Sequence, residues 1–369
     1  MPWLLPTRPR PPHRGARRAP LRIAAGAAAT VLLAAGCVPG GTGSEPADPP
    51  GVEPVERDVR FTSGPDTVHG TFALPPGAES GEKVPAALII SGSGPTDRDG
   101  DNPGRMDAGT NLNFARVLAD AGVASFRYDK LGSGETGTGS RDEDDPVDYD
   151  VFEQEMVDAY AELAAQPEVD PSRLLVLGHS EGALFALRAP EAVAGHPPAA
   201  LVLAAPPGTR YLDLLDRQLT EQMRTAESAG LSEADATAIL SDVRTATARL
   251  RAGDPLPEDL SPELEPLFGP QTEPFLREID ALDPLDLARG LPAGTRTLVL
   301  WGTEDAQVAE AEVDRLTGGL PDATRVDLDG ADHVFRMYDP APGSVAADAD
   351  RRFSPDVAPA LEDFLDTAL

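Results

Sequence analysis

Residues 174–184 read Leu-Leu-Val-Leu-Gly-His-Ser-Glu-Gly-Ala-Leu. An apolar run leads into Gly-x-Ser-x-Gly and then into an Ala/Leu-rich segment, which is the order of a buried strand, a sharp turn and a helix. Such a turn holds Ser180 in a strained backbone conformation, and Gly178 and Gly182 keep bulky side chains away from it. The helix that follows points its N-terminal amides back at the turn, so the N–H of Glu181 becomes a donor for a developing oxyanion. In a chain with 35 glycines the pentapeptide alone proves nothing. Its position between strand and helix is what constrains the fold, and it requires an acid, a histidine and a second oxyanion donor from the rest of the chain.

The surrounding pattern is an alternation. A hairpin is expected from 59–62 and 67–74, separated by Ser63-Gly64-Pro65-Asp66. Strands follow at 84–90, 123–128, 174–177, 199–205, 296–301 and 324–328, with helices at about 111–121, 149–165, 308–317 and 355–366. Strands alternating with helices predict an α/β fold, with a mostly parallel central sheet and helices on both faces. Residues 208–288 break the alternation with helical spacing and no strand, and are expected to form a helical cap insertion. An ordinary surface elaboration is the plainer alternative. Catalytic groups in such sheets gather at the carboxyl ends of the strands.

Two further groups fall where that rule puts them. Gly302-Thr303-Glu304-Asp305 follows the 296–301 strand, and of its two acids Asp305 is preferred. Of five histidines, His13 is near the N-terminus, His69 in the hairpin, His179 beside the serine and His196 in a loop. His333 alone both follows the acid and sits past a strand end. The order Ser180, Asp305, His333 predicts a nucleophile, an acid that orients, and a general base. The small residues Ser91-Gly92-Ser93-Gly94-Pro95 after the 84–90 strand let backbone approach a substrate, and the Ser93 N–H is the expected second donor. Asp97-Arg98-Asp99-Gly100-Asp101-Asn102 invites a calcium reading. However, Asn102 stands where an EF-hand loop needs Gly and Ala108 where it needs Glu, so no metal is assigned and the charges are expected to shape a pocket mouth or pair with each other.

The N-terminus has a different character. Residues 1–36 hold six Arg and no acid, then an apolar run at 23–36 too short to span a bilayer comfortably, which reads as a signal peptide. The only cysteine, Cys37, follows Leu33-Ala34-Ala35-Gly36 and resembles a lipobox lipidation site, although the preferred Leu stands one position early. Arg17-Arg18-Ala19-Pro20-Leu21-Arg22 also looks like a twin-arginine signal. With one cysteine there is no intramolecular disulfide. Residues 37–56 read as a flexible tether and 57–369 as the folded domain. Beyond residue 36 the charge is 25 Lys+Arg against 62 Asp+Glu, a formal −37. That argues against nucleic acid as a partner and against adsorption to anionic headgroups, and leaves a lipid at Cys37 as the expected attachment. The expected location is an exported protein, lipid-anchored on the extracytoplasmic side of the cell membrane.

With these residues in hand, the chain resembles the α/β-hydrolase superfamily. It looks most like secreted bacterial esterases of the serine aminopeptidase-like and monoacylglycerol-lipase-like group. The resemblance rests on Gly92-Ser93-Gly94-Pro95-x-Asp97-Arg98-Asp99-Gly100, Arg127-Tyr128-Asp129-Lys130-x-Gly132-x-Gly134, the 178–182 elbow, Gly302-x-x-Asp305 and His333. The family commonly has His where Ser91 stands. The resemblance implies a serine hydrolase of small acyl substrates that needs no cofactor, with carboxylic esters first in line. Two rivals remain: a peptidase or amidase, and a surface-anchored binding lipoprotein on a hydrolase scaffold.

Overall fold

The structure is a computed structural model and describes residues 53–369, apart from 79–80, 82, 103–105, 143–144, 229 and 342–347. The signal peptide, Cys37 and most of the expected tether lie outside the described residues. Eight strands form one sheet in the order β1-β2-β4-β3-β5-β6-β7-β8. The hairpin strands β1 (Val55–Ser63) and β2 (Asp66–Leu74) are antiparallel, and β2 meets β4 (Ala124–Tyr128) in the same sense. The strands β3 (Val84–Ile90), β4, β5 (Val169–His179), β6 (Ala200–Ala204), β7 (Arg296–Gly302) and β8 (Thr324–Leu328) are parallel to one another. β1 starts at Val55, inside the segment read as tether, because Val55 and Glu56 pair with Leu74 and Ala73.

The continuous apolar runs reflect a sheet covered on both faces. Ala86, Leu88, Leu174 and Val176 belong to one core layer, and Ala87, Ile89, Leu175 and Leu177 to the other. On the first face lie α2 (Tyr149–Ala165), α3 (Gly182–Ala192) and α8 (Glu310–Thr317). On the second lie α1 (Thr110–Asp120) and α9 (Val357–Ala368), which pack on each other. Each fully buried Leu or Val in these strands contributes about 1.5–3 kcal/mol relative to exposure.

Between β6 and β7 the chain forms α4 (Tyr211–Ser228), α5 (Glu233–Ala252), α6 (Glu273–Ala281) and α7 (Pro284–Gly290). The first three pack on one another, and α6 also touches α2. By contrast, α7 packs on α3 and α8, as a crossover helix of the sheet should. A boundary at residue 288 therefore cuts through α7, and the inserted helices are α4–α6. They are joined by Asp280, 2% exposed, whose carboxylate accepts from Arg210, Arg251 and the Leu212 N–H.

The order of the strands creates the site. After β3 the chain steps to β4 on one side, then crosses through α2 to β5 on the other side of β3. The winding direction reverses there, and the carboxyl ends of β3 and β5 flank the crevice that such a reversal opens.

Candidate active site

Ser180 follows the last residue of β5 with φ of 54°, in the left-handed region that L residues avoid. Its N–H donates to the Ala204 carbonyl (2.8 Å) and its carbonyl accepts from the Ala183 N–H (2.9 Å), so strand and helix both fix the turn. The two glycines are required sterically: a Cβ at Gly178 would overlap the Gly182 carbonyl, and one at Gly182 the Ile90 carbonyl. Two other non-glycine residues have positive φ, Ala205 at 49° just past β6 and Phe335 at 61° just past His333. Among the described residues, backbone strain of this kind occurs only at this end of the sheet, as expected where packing holds a site in shape.

Asp305 is in the turn after β7 and His333 in the turn after β8. His333 Nδ1 lies 2.8 Å from Asp305 Oδ2, and both side chains are buried. The other carboxylate oxygen, Oδ1, accepts from the Gln307 N–H (2.7 Å) and the Val308 N–H (2.8 Å). Glu304 is exposed and has no such geometry. The His333 turn is pinned by Asp332, whose Oδ1 accepts from the Val334 and Arg336 N–H groups and whose Oδ2 pairs with Arg351. Burial pulls the His333 pKa down, but the charge of Asp305 and its hydrogen bond outweigh it, and the net shift is upward.

His179 behaves oppositely. Burial and the neighbouring His333 push it down to about 3, so it is neutral at any working pH. Its Nε2 is 2.9 Å from the His333 carbonyl oxygen, which can only accept, so Nε2 carries the proton. The two rings are 5.0 Å apart. His179 thus ties the elbow to the histidine turn through the backbone. The Ser180 hydroxyl makes no hydrogen bond to His333 among the described residues; such contacts often tighten only when substrate is bound.

The loop after β3 reaches the serine directly. A Cβ on Gly92 would stand 3.3 Å from Ser180 Cβ, tighter than ordinary packing, so the backbone of this loop lies close against the nucleophile. Ser93 is the next residue, and Glu181 opens α3 on the other side. Ser91 Oγ donates to the Asp97 carbonyl and accepts from Asn111 Nδ2, holding that loop where the resembling family has a histidine. The acids that suggested calcium have other partners. Asp97 accepts from the Asp99 and Asp101 N–H groups, Asp101 from the Gly109 N–H, and Asp99 from Arg127, while Arg98 pairs with Asp129 and Glu135. Among the described residues no group of His, Cys, Asp and Glu is placed to hold a metal.

Two residues of the site went unread in the sequence. Lys130, buried, donates to the Gly92 carbonyl (2.7 Å) and pairs with Glu181 (3.1 Å). Tyr211, first residue of α4, donates to the other Glu181 oxygen (2.7 Å). Lys130 stood in a quoted motif without a role, and Tyr211 carried no local signal. Both line a pocket of about 300 Å³ that runs from Gly94 and Pro95 to the inserted helices, with apolar walls from Leu131, Phe152, Leu267 and Phe275 and with Arg141, Asp142 and Asp145 also lining it.

A serine on a strained strand-to-helix turn, with a buried Asp–His pair supplied by the next strands of a parallel sheet, defines a class of protein. The chain belongs to the alpha/beta hydrolase family, whose model matches residues 87–348. It is a hydrolase by that membership. A sequence search of the curated proteins finds no match. Among solved structures it is similar to Est1E of Butyrivibrio proteoclasticus, determined with ferulic acid bound, at 16% identity and a TM-score of 0.53, covering 84% of this chain and 98% of that one. It is similar to the Pyrococcus furiosus esterase Pf2001 at 15% identity and a TM-score of 0.52, covering 85% and 91%. Dipeptidyl peptidase 4 of Porphyromonas gingivalis matches at 15% identity and a TM-score of 0.50, over 86% of this chain and 36% of that one. At these identities the likeness is one of fold, which esterases and a peptidase share.

Proposed function

We propose that the protein hydrolyses carboxylic esters through an acyl-enzyme on Ser180. The observation that carries this reading is the buried 2.8 Å contact between His333 and Asp305, set beside a serine at φ 54°. Ser180 Oγ bonds to the ester carbonyl carbon, the π pair moves to oxygen, and His333 Nε2 takes the hydroxyl proton. The oxyanion pair then re-forms the carbonyl as the C–O bond to the alcohol breaks, and His333 gives its proton to that oxygen. A water repeats the sequence, breaking the acyl–Oγ bond to release the acid and return the proton to Ser180. The Ser93 and Glu181 N–H groups receive the oxyanion. The apolar wall of the pocket, from Leu131, Phe152, Leu267 and Phe275, suits an aliphatic or aromatic group of the substrate. An aminopeptidase would need an uncommitted carboxylate for the substrate ammonium. Glu181 is held by Lys130 and Tyr211, and Asp97, Asp99 and Asp101 by their own loop and Arg127, so these four are committed. Asp142 and Asp145 also line the pocket, and the ester reading rests on its mainly apolar wall.

Ser180→Ala should abolish turnover of short p-nitrophenyl esters and labelling by a fluorophosphonate probe. A folded variant that turns over and labels like the parent overturns the assignment. The proposal includes location: export, and attachment to the extracytoplasmic face of the membrane by lipid at Cys37. Among the described residues no helix is long and apolar enough to cross a bilayer.

A further inference from the structure

We propose that Lys130 is a positioning residue that sets the oxyanion site, an inference that rests on the ester-hydrolase reading of Ser180. The two donors of that site come from separate segments, the loop after β3 and the elbow after β5. The Lys130 ammonium touches both: its Nζ is 2.7 Å from the Gly92 carbonyl oxygen and 3.1 Å from Glu181 Oε1. The Gly92 carbonyl and the Ser93 N–H belong to one peptide unit. That unit is planar and trans, so the two groups point in opposite directions, and a donor fixed on the carbonyl fixes the direction of the N–H. It also polarises the peptide and strengthens the N–H as a donor. On the other segment, Glu181 is held at both carboxylate oxygens, by Lys130 and by Tyr211, so the residue that supplies the second N–H cannot swing.

Lys130 is itself held on both sides. Asp129 is locked by Arg98 and the Glu135 N–H, and the Leu131 N–H is held by Glu155, a carboxyl that burial pushes up to about 8. The ammonium also lies 5.9 Å from the centre of the Phe152 ring. Stability does not account for such an arrangement. Desolvating an ammonium and a carboxylate costs about as much as their attraction returns, and an apolar pair of the same size would serve the fold as well. What an apolar pair would not supply is a donor for the Gly92 carbonyl.

The test is Lys130→Met, which keeps an unbranched side chain one atom shorter and removes its donors. Its readouts are kcat and KM for p-nitrophenyl butyrate, and Kd for an aryl boronic acid, which takes Ser180 Oγ onto boron and presents a tetrahedral oxygen to the oxyanion donors. Losing one donor outright lowers kcat by roughly 10²–10³. Misaiming one should lower kcat by about 30-fold and weaken the boronic acid by a similar factor, with KM within about threefold of the parent. Because Lys130→Met leaves Glu181 without its cation, Lys130→Met/Glu181→Gln is made in parallel as an uncharged pair, and the same losses are expected. If either folded variant keeps kcat and boronic-acid affinity within about threefold, or loses kcat only in step with a rise in KM, Lys130 does not act through the oxyanion site. Ser180→Ala separates the two claims: turnover by that variant removes the ester-hydrolase reading, whereas an inactive Ser180→Ala beside an unimpaired Lys130→Met removes only this one.

Discussion

The two oxygens of Asp305 have different partners, and the difference predicts what an amide there would do. Oδ1 accepts from two backbone N–H groups, so in Asp305→Asn the side-chain carbonyl must stay at that position. The amide NH₂ then faces His333 Nδ1, where it can only donate, and the imidazole is driven to the tautomer with its proton on Nε2. That tautomer cannot accept the Ser180 proton. We expect kcat/KM to fall by about 10³–10⁴ with folding intact. The pH profile adds a second check. A general base works when neutral, and Asp305 raises His333 above its ordinary 6.5, so activity in the parent is full at high pH and is lost as pH falls through a value above 6.5. Removing the charge of Asp305 should move that acid limb downward in residual kcat/KM. His179 cannot stand in as base, since at about 3 its titration lies far below the limb and its Nε2 proton is held by the His333 carbonyl. An acid limb that stays put in Asp305→Asn would show that another group is titrating.

Among the elements, the inserted helices depend on one buried carboxylate. Asp280 gathers Arg210 before α4, Arg251 at the end of α5 and the Leu212 N–H, so it is the point where three helices are joined. Asp280→Ala should destabilise that unit by about 2 kcal/mol, since it strands the buried Leu212 N–H and, among the described residues, leaves Arg251 only Asp213 and Arg210 only the residue 280 carbonyl. The expected result is faster amide hydrogen exchange in α4–α6 and a higher KM for esters with large apolar groups, with fluorophosphonate labelling of Ser180 preserved. Unchanged exchange in those helices would mean that packing alone holds them. This network also marks the limit of what the sequence discloses. The strands were legible because buried parallel strands are runs of apolar residues, and the elbow because its glycines are sterically obligatory. Asp305 and His333 were legible because strand ends locate them. Asp280 looked like any surface acid of a helical stretch, and its partner Arg210 lies 70 residues away. Lys130 and Glu181, 51 residues apart, meet only because β4 and β5 flank β3 and their loops converge. Nor does helical spacing say where an insertion ends, because α7 reads like its neighbours and only its packing on α3 and α8 assigns it to the sheet.

For the whole molecule, charge and topology bear on the proposed attachment. Ser180, Asp305 and His333 all come from the carboxyl ends of the sheet, and the first strand, at the far edge of the sheet, begins at Val55. Val55 lies 18 positions after Cys37. A formal charge of −37 beyond residue 36 repels an anionic bilayer, so electrostatics would not retain the protein there. Retention would rest on the lipid, and a single acyl chain binds reversibly whereas two or more hold. Cys37→Ala should accordingly shift the protein from the membrane fraction to the medium or wash, with kcat and KM unchanged because the proposed chemistry gives the cysteine no part. Raising the salt concentration should not detach the parent, since screening weakens only charge attraction. Parent protein released by salt, or Cys37→Ala retained on membranes, would move the attachment from the lipid to the folded domain.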